Sequence, residues 1–226
     1  MMRAFARFHH SHFIHCTRSM PSPALSLRKK PQQARAAAML ELILQGAARV
    51  LRTQSLAGFT TNRVAEIAGI SVGSLYQYFP NKSALVAALI QREQAALCEA
   101  VVACAARHGA EPLPQVVARW IDIAVHHQFG DAVYAAAIDH EERRLPLQDL
   151  LGAAQQSMVQ AVAAVLRRHG PAFSARQSVI AAQDCLVIAK ALIESEPPDV
   201  ADAKRRALKK RVHRALLGYL KFEDVR

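Results

Sequence analysis

From residue 33 onward, apolar positions recur at intervals of three and four, the period of helices with one buried face, and no run reads as a strand. The first such stretch, 33 to 54, places Leu40, Ile43, Leu44, Ala47, Val50 and Leu51 on a common side. Two short helices follow, about 61 to 68 and 72 to 79, and then one long helix from 82 to about 108. Further helices are expected at about 114 to 128, 131 to 143, 147 to 169, 174 to 195 and 200 to 221. They are separated by Gly109 with Pro112 and Pro114, by Gly130, Pro146, Gly170-Pro171 and Pro197-Pro198. Ser174 with Gln177 forms a capping-box pattern, and Asp199 is the expected cap of the last helix, with Asp202 in its first turn. No repeat recurs at a fixed period. The pattern therefore predicts an all-α protein.

Residues 58 to 90, GFTTNRVAEIAGISVGSLYQYFPNKSALVAALI, carry the most specific local signal. Thr60 and Thr61 supply hydroxyl caps before a helix whose inner side is Val64, Ile67 and Ala68. Gly69 stands where a left-handed residue would stop that helix, Ile70 can plug the core, and Ser71 can cap the next helix. This is helix, tight turn, helix, the arrangement in which the second helix enters the DNA major groove. On that helix Val72, Gly73 and Ser74 are small enough for close approach, while Leu75 and Phe79 face inward. Tyr76, Gln77 and Tyr78 offer hydrogen-bonding tips. Gln77 is the candidate base reader, because a carboxamide can pair bidentately with adenine. Pro80 ends the helix, Asn81 caps the following one, and Lys82 lies in its first turn, where a phosphate would also find free N–H groups.

The stretch TTNRVAEIAGISVGSLYQYFPNKSAL resembles the N-terminal domain of the tetracycline-repressor (TetR) family of bacterial regulators. The resemblance covers residues 35 to about 90. It implies an all-helical homodimer with a three-helix, homeodomain-like DNA-binding head and a larger C-terminal domain that binds a small molecule and forms the dimer. By position it implies phosphate contacts from Thr61 and Tyr76, an anchor on the DNA backbone from Lys82, and base-facing roles for Asn62, Val72, Ser74 and Gln77. The domain division expected is a basic, flexible arm over 1–33, the DNA-binding head over 34–81, and an effector-binding and dimerisation domain over 82–226 with 82–108 as connecting helix.

Composition narrows the alternatives. The chain has 226 residues and 52% hydrophobic content, enough for a substantial core. Its formal charge of +11 suits a polyanionic partner, but six basic residues and no acid fall in residues 1–33, so much of the excess belongs to the arm. That arm carries His9, His10, His12 and His15, and Met20 is an alternative first residue. The four cysteines, at 16, 98, 104 and 185, form no CxxC pair or zinc spacing, and no secretory signal or membrane-length apolar run is visible. A cytoplasmic protein is expected, with no cofactor, no metal and no membrane partner.

In the second half, residues 179 to 193 (VIAAQDCLVIAKALI) are apolar nearly all round and must be buried on more than one side. Leu186 on this helix and Leu208, Val212, Leu216, Tyr219 and Leu220 on the last are the expected dimer face, forming a four-helix bundle about a two-fold axis. The basic run Lys204, Arg205, Arg206, Lys209, Lys210 and Arg211 is a solvated rim or a second DNA patch. Sparse polar and aromatic residues in an alanine-rich body are the candidate effector contacts: Trp120, His126, Phe129, Tyr134, Met158 and Asp184. Asp184 is either a ligand contact or a satisfied structural acid. Asp122 and His126 share a face but have no third metal ligand. HEERR at 140 to 144 lacks the second histidine of a zinc-protease motif and reads as a solvated helix end. No nucleophile triad or phosphate loop points to an enzyme. The expected function is a sequence-specific transcriptional regulator, a repressor released from a palindromic operator by a small molecule. An effector-independent or architectural DNA-binding protein is the alternative.

Overall fold

The computed structural model describes residues 34–170, 174–197 and 199–222. The arm with its histidines and Cys16 lies outside them. Nine helices are present among the described residues, and no strand: α1 Ala34–Gln54, α2 Thr61–Ala68, α3 Val72–Tyr78, α4 Lys82–His108, α5 Leu113–Phe129, α6 Ala132–Arg144, α7 Gln148–His169, α8 Ala175–Glu194 and α9 Asp202–Phe222. None is long and apolar enough to cross a membrane.

The ends of these helices follow local chemistry. Ser174 and Gln177 form the reciprocal capping box, and Asp131 caps α6 by accepting from the Tyr134 amide at 3.0 Å. Pro114 falls in the first turn of α5, where a missing N–H breaks no helical bond. One expected cap is displaced. α9 begins at Asp202 and its first carbonyl acceptor is Ala201, bonded by the Arg205 amide at 3.0 Å, so Asp199 stands outside the helix and does not cap it.

Two cores organise the chain. The first joins α1 to α4 around Ile43, Leu51, Phe59, Leu75, Phe79 and Leu85, and it continues into Tyr134, Ala137 and Ile138 of α6 and Leu147 and Leu151 at the α7 end. Gly46 lets α1 and α2 approach closely: a Cβ there would lie 3.0 Å from that of Ala68 and 3.2 Å from the Val64 carbonyl oxygen. The second core packs α5, α7, α8 and α9 around Val117, Ile121, Val162, Leu166, Ala181 and Val212.

This second core corrects the expected dimer face. Leu208, Val212, Leu216 and Leu220 are buried within the single chain, at 1%, 0%, 6% and 6% exposure, because α9 turns its apolar stripe onto α5 and α8. Leu186 and Tyr219 are half-buried against the same core. The large apolar side chains that α8 leaves to solvent are Ile180 and Val187, the latter 67% exposed. Much of the basic run on α9 is paired: Lys209 with Asp122 at 2.7 Å, Arg211 with Glu196 at 3.1 Å and Arg205 with Asp202 at 3.6 Å.

Candidate functional site

The helix-turn-helix is held by side chains acting on their own neighbourhood. Thr60, in extended conformation, accepts from the Arg63 amide at 3.2 Å and so starts α2. Gly69 ends it in the left-handed region, φ 68° and ψ 31°, where a Cβ would be strained. The Ile70 amide then reaches back to the Ala65 carbonyl at 3.0 Å. The next residue, Ser71, caps α3 by accepting from the Ser74 amide at 3.0 Å. Phe79, immediately before Pro80, is extended, as a residue preceding proline prefers, and closes α3. Asn81 caps α4 through the Ala84 amide at 2.8 Å. The result is a short α3 anchored inward by fully buried Leu75 and presenting Val72, Gly73, Tyr76 and Gln77 outward.

Beside this surface, the Thr61 hydroxyl and the Tyr76 phenol are 3.2 Å apart and share a hydrogen bond between α2 and α3. The Lys82 ammonium lies over the Phe59 ring, 5.3 Å from its centroid, so an aromatic face steadies an exposed cation at the start of α4.

A second feature lies in the body. A cavity of about 590 Å3 opens between α4, α5, α6, α7 and α8, within the size range of small-molecule sites. Leu97, Val101, Trp120, Ile121, Met158 and Val159 form part of its apolar wall, and Tyr134, Glu93, Gln94, His127, Gln128, Asp139, Glu142 and Lys190 part of its polar one. Burial holds the His127 imidazole below its usual pKa despite the nearby charges of Glu93, Asp139 and Glu142. Burial would also lower Lys190, but hydrogen bonds and charge from Glu142, at 2.8 Å, and from Glu194 hold it above the ordinary value. Burial raises Tyr134, and its hydrogen bond to Glu93, 2.9 Å, adds to the shift.

Head and cavity touch through this polar wall. Arg52, near the end of α1, bonds Asp131 at 3.0 Å and lies 4.5 Å over the Tyr134 ring. Arg92 reaches both Glu93, at 3.3 Å, and Glu41 of α1, at 3.4 Å. Asp131, Tyr134 and Glu93 all line the cavity.

Comparison with known proteins agrees with this two-part layout. Residues 43–89 match the family described as bacterial regulatory proteins, tetR family, and residues 112–220 match the tetracyclin repressor-like C-terminal domain. The chain belongs to the TetR family. Solved structures share the fold. A TetR-family transcriptional regulator from Mesorhizobium loti has a TM-score of 0.64 at 14% identity, over 84% of this chain and 98% of that one. The fatty acid degradation regulator FadR from Bacillus halodurans has 0.59 at 17%, over 79% and 97%. GusR from Salmonella enterica has 0.59 at 18%, over 84% and 100%. In sequence, 73 residues are 36% identical to the nucleoid occlusion factor SlmA of Haemophilus ducreyi, over 32% of this chain and 35% of that protein. The chain thus spans about a third of the length of that relative.

For a TetR-family chain, the candidate DNA-facing residues divide by exposure. Asn62, Val72, Gly73, Tyr76, Gln77 and Lys82 are exposed. Nothing inside the chain requires a glycine at 73, since a Cβ there would meet only the Ser71 hydroxyl at 3.8 Å. Two residues are otherwise engaged. The Ser74 hydroxyl is 2.8 Å from that of Ser71, and Tyr78 is half-buried against the head core. Among the effector candidates, Trp120, Tyr134 and Met158 line the cavity; His126, Phe129 and Asp184 do not. His126 points to solvent and its neighbour His127 occupies the wall. Phe129 is buried at 4% exposure in the body core. Asp184 accepts from the Tyr219 phenol at 2.7 Å, the satisfied-acid alternative. The end of α6 differs from the expected solvated cap: Glu141 is buried under Arg144, and Glu142 faces the cavity. Asp139 and Glu142 were not among the effector candidates, although they follow the cavity-lining Ala135 and Ile138 by four residues, about one helical turn, and so share their side.

Proposed function

We propose that this TetR-family transcriptional regulator is a homodimeric repressor that leaves a palindromic operator when a small molecule enters the cavity. The observation that carries the reading is the double role of Asp131 and Tyr134. Both line the cavity, and both are held by Arg52 of the head. A ligand that prefers a different placement of the first turn of α6 would shift α1 with it, and the two heads would no longer fit their half-sites. Only the difference in ligand affinity between the two arrangements can drive that shift.

In this reading Gln77, Asn62 and Val72 face bases, while Tyr76, held by Thr61, and Lys82, held over Phe59, bind phosphates. Two heads about 34–36 Å apart would read successive major grooves. Ile180 and Val187 on the outer side of α8 are suited to meet a partner chain, with the half-buried Leu186 and Tyr219 beside them.

Selection of bound duplexes from a random pool, followed by affinity at two salt concentrations, tests the DNA half. An enriched palindrome bound at least about a thousandfold more tightly than random DNA supports the operator reading. Sequence-blind, steeply salt-dependent binding sinks it. Sedimentation tests the dimer, and a stable monomer at micromolar concentration would remove it. The similarity to a nucleoid occlusion factor favours a second reading, an effector-independent DNA-binding or architectural role. It gains if the selected sites bind with unchanged affinity whatever occupies the cavity.

A further inference from the structure

The charge of the cavity wall is lopsided, and its arrangement singles out a class of ligand. Along α4 the lining runs from Glu93 and Gln94 to Leu97 and Val101, and along α5 it runs from Trp120 to His127 and Gln128. The two helices are joined by a short turn and pack side by side, so they run antiparallel and their polar ends coincide. Trp120 and His127 are two helical turns apart, about 10 Å along the axis. The cavity therefore has an apolar end and a polar end.

The polar end is acidic. Glu93, Asp131, Asp139, Glu142 and Glu194 line it, and among the described residues Lys190 is the one ammonium and no arginine contributes. Lys190 is already shared between Glu142, at 2.8 Å, and Glu194, at 3.4 Å, while Glu93 has Arg92 beside it and Asp131 has Arg52. Asp139 has no such cation. Its partner is the amide of Gln128 at 2.7 Å; among the described residues no lysine or arginine pairs with it, and the nearby His127 imidazole is held below its usual pKa by burial. At the other end the indole N–H of Trp120 is buried with no hydrogen-bond partner among the described residues. A donor in that position is suited to an acceptor atom brought in by a ligand.

We propose that the cavity takes an amphipathic organic cation, a protonated amine or quaternary ammonium whose charge lies against Asp139 and whose apolar body runs between Leu97, Val101 and Trp120. The inference rests on the cavity being the effector site. The protein's overall charge of +11 opposes it from a distance and favours anions. A preference for cations must therefore come from the cavity itself. An anionic head group such as a carboxylate would meet five carboxylates in a low-dielectric wall.

The chain has a single tryptophan, Trp120, on the cavity wall, so its emission reads occupancy directly. The full-length protein is titrated with three probes that share a ten-carbon chain, below their micelle concentrations: decyltrimethylammonium, 1-decanol and decanoate. The cation is expected to saturate and to bind about tenfold or more tightly than the alcohol, with decanoate weakest. Asp139→Asn, which keeps an acceptor for Gln128, is expected to erase most of that tenfold preference while leaving 1-decanol affinity unchanged, the latter reporting an intact cavity. Decanoate binding as tightly as the cation, or a preference that survives Asp139→Asn, overturns the ligand class and leaves the effector cavity standing. If no probe changes the emission or the melting temperature, the effector-cavity reading falls and the ligand class with it.

Discussion

The DNA-facing head and the cavity body are built by different rules. In the head, each turn is fixed by a residue acting within four positions of itself: Thr60 on Arg63, Gly69 on Ala65 and Glu66, Ser71 on Ser74, Asn81 on Ala84. The cavity has no such local author. Glu93, Trp120, Tyr134, Met158 and Lys190 come from five helices and meet only because those helices pack. A surface meant to match a rigid duplex gains from local pinning, and a surface meant to respond gains from contacts that can be redistributed.

The largest test of that contrast is Leu75→Ala. Leu75 is fully buried and is the anchor of the seven-residue α3, so truncation should cost about 2–5 kcal/mol and lower the melting temperature of the whole chain. A loss of DNA binding with an unchanged melting temperature would mean that α3 folds independently of the core. Next, Gln77→Ala should remove about 1–3 kcal/mol of discrimination between operator variants. Lys82→Ala should instead weaken specific and random DNA alike and reduce the salt dependence. Equal effects of Gln77→Ala on both DNAs would overturn its role as reader. Thr60→Ala should cost about 1 kcal/mol through the lost α2 cap, read by denaturant titration.

In the body, Gly152 lines the cavity from within α7 and an added Cβ would meet nothing within 4 Å. Gly152→Ala should therefore stabilise the chain by about 0.5–1 kcal/mol, and a loss instead would show that α7 is constrained there. The smallest stability effect is expected for Arg52→Ala. Its ion pair with Asp131 is exposed at 47% and 38% and should contribute under about 1 kcal/mol. Operator affinity with and without a cavity ligand is the informative measurement, because the variant should keep DNA binding and lose much of the response.

The same contrast explains what the sequence disclosed. Caps and turns of the head depend on residue type at fixed offsets, so Thr60, Gly69, Ser71 and Asn81 were legible, and α2 spans Thr61–Ala68 as the periodicity predicts. The body helices were legible as elements but not in their facing. Leu208, Val212, Leu216 and Leu220 form a clear apolar stripe, and a stripe says that a face is buried without saying against what. Here the neighbour is the chain's own α5 and α8. His126 and His127 differ by one position, about 100° around a helix, and periodicity at the margin of a polar face did not separate them. Glu142 was missed because an acid near a helix end ordinarily meets water, and only the packing of α8 brings Lys190 across to it.

The core that runs from Leu75 and Phe79 into Tyr134, Ile138, Leu147 and Leu151 also bears on engineering. A chimera cut after α4 would here leave α1 and α4 packed against a foreign α6, with Arg52 stripped of Asp131. The transplantable piece is therefore discontinuous, and a working graft must carry residues 131–151 along with residues 34–90.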